Sequence, residues 1–72
     1  MKRKLQPFDV VALTEDDPEH QLVRGQVGTI VETLAPGVFE VDFSDNGGRT
    51  YALISVKKQQ LMLLLHQPIS AA

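Results

Sequence analysis

The chain is 72 residues long, 43% hydrophobic and 22% charged, with seven Lys and Arg against nine Asp and Glu and a net charge of −2. That length holds one domain and no interdomain cleft, since folding units run from about 50 to 250 residues. With no cysteine, disulfides, thiolate metal sites and a Cys nucleophile are excluded, and the charged fraction is too low for a disordered polyelectrolyte.

The charge is unevenly placed. Lys2, Arg3 and Lys4 fall in a short leader, residues 1–7, expected to be flexible. Without them only Arg24, Arg49, Lys57 and Lys58 oppose nine carboxylates, so the body carries −5. A body of that sign repels phosphate, which weighs against nucleic acid as a partner. The leader runs into Leu5-Gln6-Pro7 and Asp9 without an apolar core, unlike a signal peptide. The longest apolar run, residues 61–65, is far short of the roughly 20 residues that span a bilayer. A cytoplasmic location with no membrane contact is the expectation.

Short, regularly spaced turn signals favour strands over helices. Residues 8–14 (Phe-Asp-Val-Val-Ala-Leu-Thr) read as strand one. Glu15-Asp16-Asp17-Pro18-Glu19-His20 then breaks it, because proline lacks the ladder N–H and clustered carboxylates resist burial. Leu22 and Val23 bring the chain back toward the core, and Gly25 and Gly28 permit a bend into strand two. That strand, 27–34, has Val27 and Val31 on one face and Ile30 and Leu34 on the other, suiting a strand bent between two layers. Pro36-Gly37 has the chemistry of a type II turn. Residues 38–44 alternate cleanly, with Phe39, Val41 and Phe43 facing the core. Asn46-Gly47, within Ser44-Asp45-Asn46-Gly47-Gly48, signals a tight hairpin through positive φ. Residues 49–55 form strand four, paired with strand three. The polar stretch 56–60 fits one 3-10 turn, and Leu-Met-Leu-Leu-Leu at 61–65 closes the series as a fully buried strand against strand one. Periodicity leaves a helix over 57–65 as the alternative. The expected fold is all-β: a small five-stranded SH3-like barrel over 8–66, with a long acidic loop after strand one, a 3-10 turn before the last strand and a disordered tail at 67–72.

The residues Phe8-Asp9-Val10-Val11-Ala12-Leu13, Pro18-Glu19-His20, Arg24-Gly25-Gln26-Val27-Gly28-Thr29-Ile30-Val31-Glu32, Ala35-Pro36-Gly37-Val38-Phe39-Glu40-Val41-Asp42-Phe43 and Gly48-Arg49-Thr50-Tyr51-Ala52 together resemble the bacterial domain-of-unknown-function family 4926. The resemblance covers most of the chain and implies an SH3-like barrel in an intracellular protein, without a settled activity. It also suggests a stand-alone partner of a toxin-like protein. A weaker likeness, running from Gly25 to Glu32 on a Gly-x-x-Gly-x-hydrophobic rhythm, is shared with KOW modules and reflects a common bend more than a common task.

Candidate chemistry is sparse. Asp16, Asp17 and Glu19 with His20 lack the alternating spacing of a calcium loop, and a solvated loop accounts for them without an ion, so no metal or cofactor is expected. His20 and His66 stand alone, and neither Ser44 nor Ser55 sits in a nucleophile motif, so no catalytic residue and no enzyme activity are expected. Little room for a substrate-sized pocket is expected in so small a barrel. Lys57, Lys58 and Arg49 with Tyr51 and Phe39 are the residues a KOW-like RNA-binding face would use. The main expectation is a protein-interaction module, an adaptor or antitoxin-like partner, whose Glu15, Asp16, Asp17, Glu19 and Asp45 meet a basic protein. Arg24 and Arg49 flank glycine turns and are expected to brace loops. If strand five leaves an edge open, pairing with a partner or a second copy gives a homodimer as another route.

Overall fold

A computed structural model describes residues 4–65, leaving the first three residues of the leader, His66 and the expected tail at 67–72 outside the described residues. The strands are β1 (Val10–Leu13), β2 (Val27–Ala35), β3 (Val38–Ser44), β4 (Thr50–Lys57) and β5 (Leu61–Leu63), with 3-10 turns at Pro18–His20 and Lys58–Gln60. They form one antiparallel sheet in the order β4-β3-β2-β1-β5. The expected pairing of the last strand with the first is present, Val11 opposite Leu63 and Leu13 opposite Leu61. β4 and β5 nevertheless end the order as two separate edges, so the sheet is open and not the closed barrel expected. Closure requires β5 to bond on both sides, and a three-residue strand delivered by a tight turn reaches only β1.

Alternation in β3 does what its pattern dictates: Phe39, Val41 and Phe43 are buried and join Val11, Leu13, Leu22, Ile30, Val56 and Leu61 in the core. No buried side-chain nitrogen or oxygen among the described residues lacks a hydrogen-bond partner. β2 fits between its neighbours because Gly28 has no side chain. A Cβ there would stand 2.7 Å from Val41 Cγ1 and 2.9 Å from the Asp42 carbonyl oxygen.

Several expectations are corrected by local geometry. β1 starts at Val10, not Phe8: Phe8 has φ 75° and is exposed, while the Asp9 carboxylate accepts the Gln6 N–H at 2.9 Å. Leu5, assigned to the leader, packs against the core. Leu22 is buried but Val23 is exposed. Register shifts between Ile30 and Glu32 and between Thr33 and Ala35 break the parity of β2, so Leu34 faces outward while Thr33 pairs with buried Phe39. Gly37 takes φ 74°, as the type II turn requires. In the β3–β4 hairpin the positive φ falls on Gly48, at 82°, and not on Asn46 or Gly47. Asp45 sets this turn, since its Oδ1 accepts the N–H groups of Gly47 at 2.8 Å and Arg49 at 3.0 Å. β4 extends to Lys57, with Val56 buried, and the 3-10 turn is confined to Lys58–Gln60. The run at 61–65 is strand for three residues and is not fully buried: Leu61 is in the core, whereas Met62 and Leu65 are exposed.

Candidate protein-binding surfaces

Antiparallel register gathers the acidic segments. Ala12 stands opposite Val27 and Thr29 opposite Asp42, so the end of β1, the start of β2, the end of β3 and the start of β4 share one end of the sheet. Residues 14–26 and the 45–49 hairpin therefore project from the same end. A side-chain hydrogen bond links the two regions, Gln26 Nε2 donating to Tyr51 Oη at 3.0 Å, while Gln26 Oε1 accepts the Val23 N–H at 2.6 Å.

The five expected binding residues divide by what they do locally. Asp16 Oδ1 accepts the Arg24 N–H at 2.8 Å. Asp17 caps the first 3-10 turn, its Oδ1 accepting the His20 N–H at 3.3 Å and its Oδ2 lying 2.8 Å from His20 Nδ1. Asp45 holds the hairpin as described. Glu15 and Glu19 are exposed and form no side-chain hydrogen bond or ion pair among the described residues. Asp16, Asp17 and Asp45 thus shape the loops through their carboxylates, Asp17 with both oxygens, whereas Glu15 and Glu19 project into solvent. Asp17, Glu19 and His20 bring their ligating atoms within 4.8 Å of one another, without Asp16. The Asp17–His20 bond belongs to the cap, which accounts for that proximity.

The residues of an RNA-binding face converge only in part: Phe39, Lys57 and Lys58 line one groove, whereas Arg49 and Tyr51 do not. Phe39 is buried in the core, and Tyr51 and Lys57 sit near opposite ends of β4. Tyr51 is instead tied to Gln26. Of the turn glycines, Gly25 takes φ 94° with open space around it, a conformational requirement, while Gly28 answers a close approach.

A second surface was not anticipated. Between the β2–β3 turn and β5 runs an open apolar groove of about 1420 Å³, floored by Val38, Phe39, Leu61 and Leu63 with Met62 and Leu65 along it. This is far more concave space than the sequence leads one to expect. Lys4, Lys57 and Lys58 line it, and among the described residues no carboxylate, histidine or serine does. The Lys58 N–H donates to the Gly37 carbonyl at 2.9 Å, and its stem lies along Gly37, where a Cβ would be 3.6 Å from Lys58 Cδ. The only sequence signals for this groove were the Lys57-Lys58 pair and an apolar run too long for its strand. No helix among the described residues is long and apolar enough to cross a membrane.

Comparison with known families gives one finding: the model of a family described as a domain of unknown function, DUF4926, matches residues 7–63. Neither the curated proteins nor the solved structures contain a significant match.

Proposed function

The chain belongs to the DUF4926 family, and we propose that it is a small cytoplasmic protein-interaction module without catalytic activity, an adaptor or neutralising partner whose acidic end meets a basic protein. The observation that carries this reading is the shared position of residues 14–26 and the 45–49 hairpin at one end of the sheet, with the Glu15 and Glu19 carboxylates free of partners among the described residues. Fixed backbone loops present the charge at little ordering cost, and charge of one sign over one end speeds encounter and orients a partner of the other sign. The strand order β4-β3-β2-β1-β5, with a 3-10 turn before the last strand, supports an SH3-like barrel opened along the seam between β4 and β5. Among the described residues the groove's polar lining is lysine, threonine and glutamine, without the paired acid and base that hydrolytic or transfer chemistry uses.

Affinity purification from the native host with the full chain tests the reading. A basic protein should be retained at low ionic strength, released by about 0.5 M salt where the Debye length is only a few ångströms, and lost with Glu15→Lys/Glu19→Lys. Because neither glutamate has a partner among the described residues, that variant should keep its fold. Retention only of acidic or salt-insensitive partners, or retention unchanged by the charge reversal, refutes the proposal.

A further inference from the structure

Three features converge on the groove. First, β5 ends the sheet order and is paired on one side only, to β1, among the described residues. On its other edge the Leu61 N–H is taken by the Lys58 carbonyl, which leaves the backbone of Leu63 and the Leu61 carbonyl, paired with no strand among the described residues, as the groups that would accept an added strand. Second, the groove beside that edge keeps apolar side chains in water: Met62 is 54% and Leu65 60% exposed. Third, of the five cations among the described residues, Lys4, Arg24, Arg49, Lys57 and Lys58, three line the groove, and none of the nine carboxylates does. In a chain of net charge −2, the groove is a local reversal of sign. Lys57 and Lys58 form no ion pair among the described residues, and Lys58 is held beside Gly37 through both its backbone and its stem.

We propose that this groove binds an extended peptide of another protein, apolar at alternate positions and acidic at its flanks, which adds as a strand along β5. Side chains of a strand alternate between faces, so every second residue would share the face of half-buried Leu63, while a flanking carboxylate reaches Lys57 or Lys58. About five residues of strand, roughly 17 Å, suffice to pass the three-residue edge and meet the lysines. The charge selects an acidic peptide over a basic one. The free edge selects a peptide over a small amphiphile, whose single chain offers no ladder of N–H and C=O groups. This site adjoins the acidic end at Thr14, beside the start of β5, and is opposite to it in partner chemistry.

Fluorescence anisotropy with the full chain tests it, using two labelled peptides of alternating Leu and Thr, one flanked by Glu pairs and the other by Lys pairs. The Glu-flanked peptide should bind about tenfold more tightly or better, the difference shrinking with salt. Lys57→Glu/Lys58→Glu should reverse the preference, with circular dichroism verifying the fold, and Glu15→Lys/Glu19→Lys should leave it in place, which separates this site from the acidic end. Proline at a central Thr of the peptide should abolish binding by removing a ladder N–H. Equal binding of the two peptides, no binding at about millimolar protein, a preference unmoved by the lysine reversals, full tolerance of the proline, or binding of laurate without the peptide would each overturn the proposal.

Discussion

Gly28→Ala isolates the closest backbone approach in the sheet. The added methyl carbon would lie 2.7 Å from Val41 Cγ1, 2.9 Å from the Asp42 carbonyl oxygen and 2.9 Å from Phe43 Cδ1. All three are well below van der Waals contact. Val41 and Phe43 have no exposed surface into which to turn, and the Asp42 carbonyl belongs to the strand whose Asp42–Thr29 pairing adjoins Gly28. Relief therefore requires β2 and β3 to separate, which places the cost near the upper end for overpacking, about 3 kcal/mol. Folding stability for a chain of this length is on the order of 4 to 11 kcal/mol, so the variant should fold but be severely weakened. At about 4 to 8 °C per kcal/mol, the midpoint should fall by roughly 12 to 24 °C. Gly25→Ala is the control: φ is 94° but the space is open, so only backbone strain of about 1 to 2 kcal/mol applies. Thermal and urea unfolding followed by circular dichroism measure both. A Gly28→Ala cost below that of Gly25→Ala would refute the close packing of β2 on β3 and the bend built on it.

The hairpin assignment makes a sharper distinction than its sequence does: Gly48→Ala, at φ 82°, should cost about 1 to 2 kcal/mol, whereas Gly47→Ala should stay within about 0.5 kcal/mol in urea unfolding, and the reverse order would restore Asn46-Gly47 as the turn's left-handed pair. Phe43→Ala removes the largest side chain with no exposed surface and should cost about 3 to 5 kcal/mol, enough to unfold a substantial share of the chain at 37 °C by near-ultraviolet circular dichroism. Leu53→Ala, on the half-exposed face of β4, should cost less than about 1 kcal/mol in the same assay.

Strand identity was legible wherever one period governed a whole element. Phe39, Val41 and Phe43 alternate with Glu40 and Asp42, and β3 has the bounds that pattern sets. Pro36-Gly37 fixed its turn by the same local logic. Parity failed where a bulge intervened: Leu34 shares parity with buried Ile30, but the register shifts at Val31 and beyond turn it to solvent, and nothing in Val-Glu-Thr-Leu announces them. Hairpin chemistry was visible as a cluster but not in register, because the Asp45 carboxylate, by bonding both the Gly47 and Arg49 N–H groups, moves the left-handed position one residue past Asn-Gly. The candidate sites divided similarly. Acidic residues in a proline loop read as exposed and, half-buried Asp17 apart, are, yet their use as caps and staples, Asp16 to the Arg24 N–H and Asp17 to His20, depends on contacts closed only in three dimensions.

The open seam and the lysine groove share β5. A closed sheet would bury the outer edge of β5 and leave Met62 and Leu65 little reason to be apolar; an open one keeps both accessible, at the risk of unspecific edge pairing. Charge limits that risk. The rim carries Lys57 and Lys58, so two copies meeting groove to groove bring like charges together, while the acidic end of one copy is complementary to the groove of another. Such a head-to-tail contact is heterologous and does not close on itself, so self-association through it would grow into chains rather than stop at a dimer. The caps and turns at the acidic end oppose that outcome, since Asp16, Asp17 and Asp45 are held within folded loops and cannot extend as a strand along β5. An edge that rejects its own copies by charge and by loop geometry remains available to an extended acidic segment from another protein.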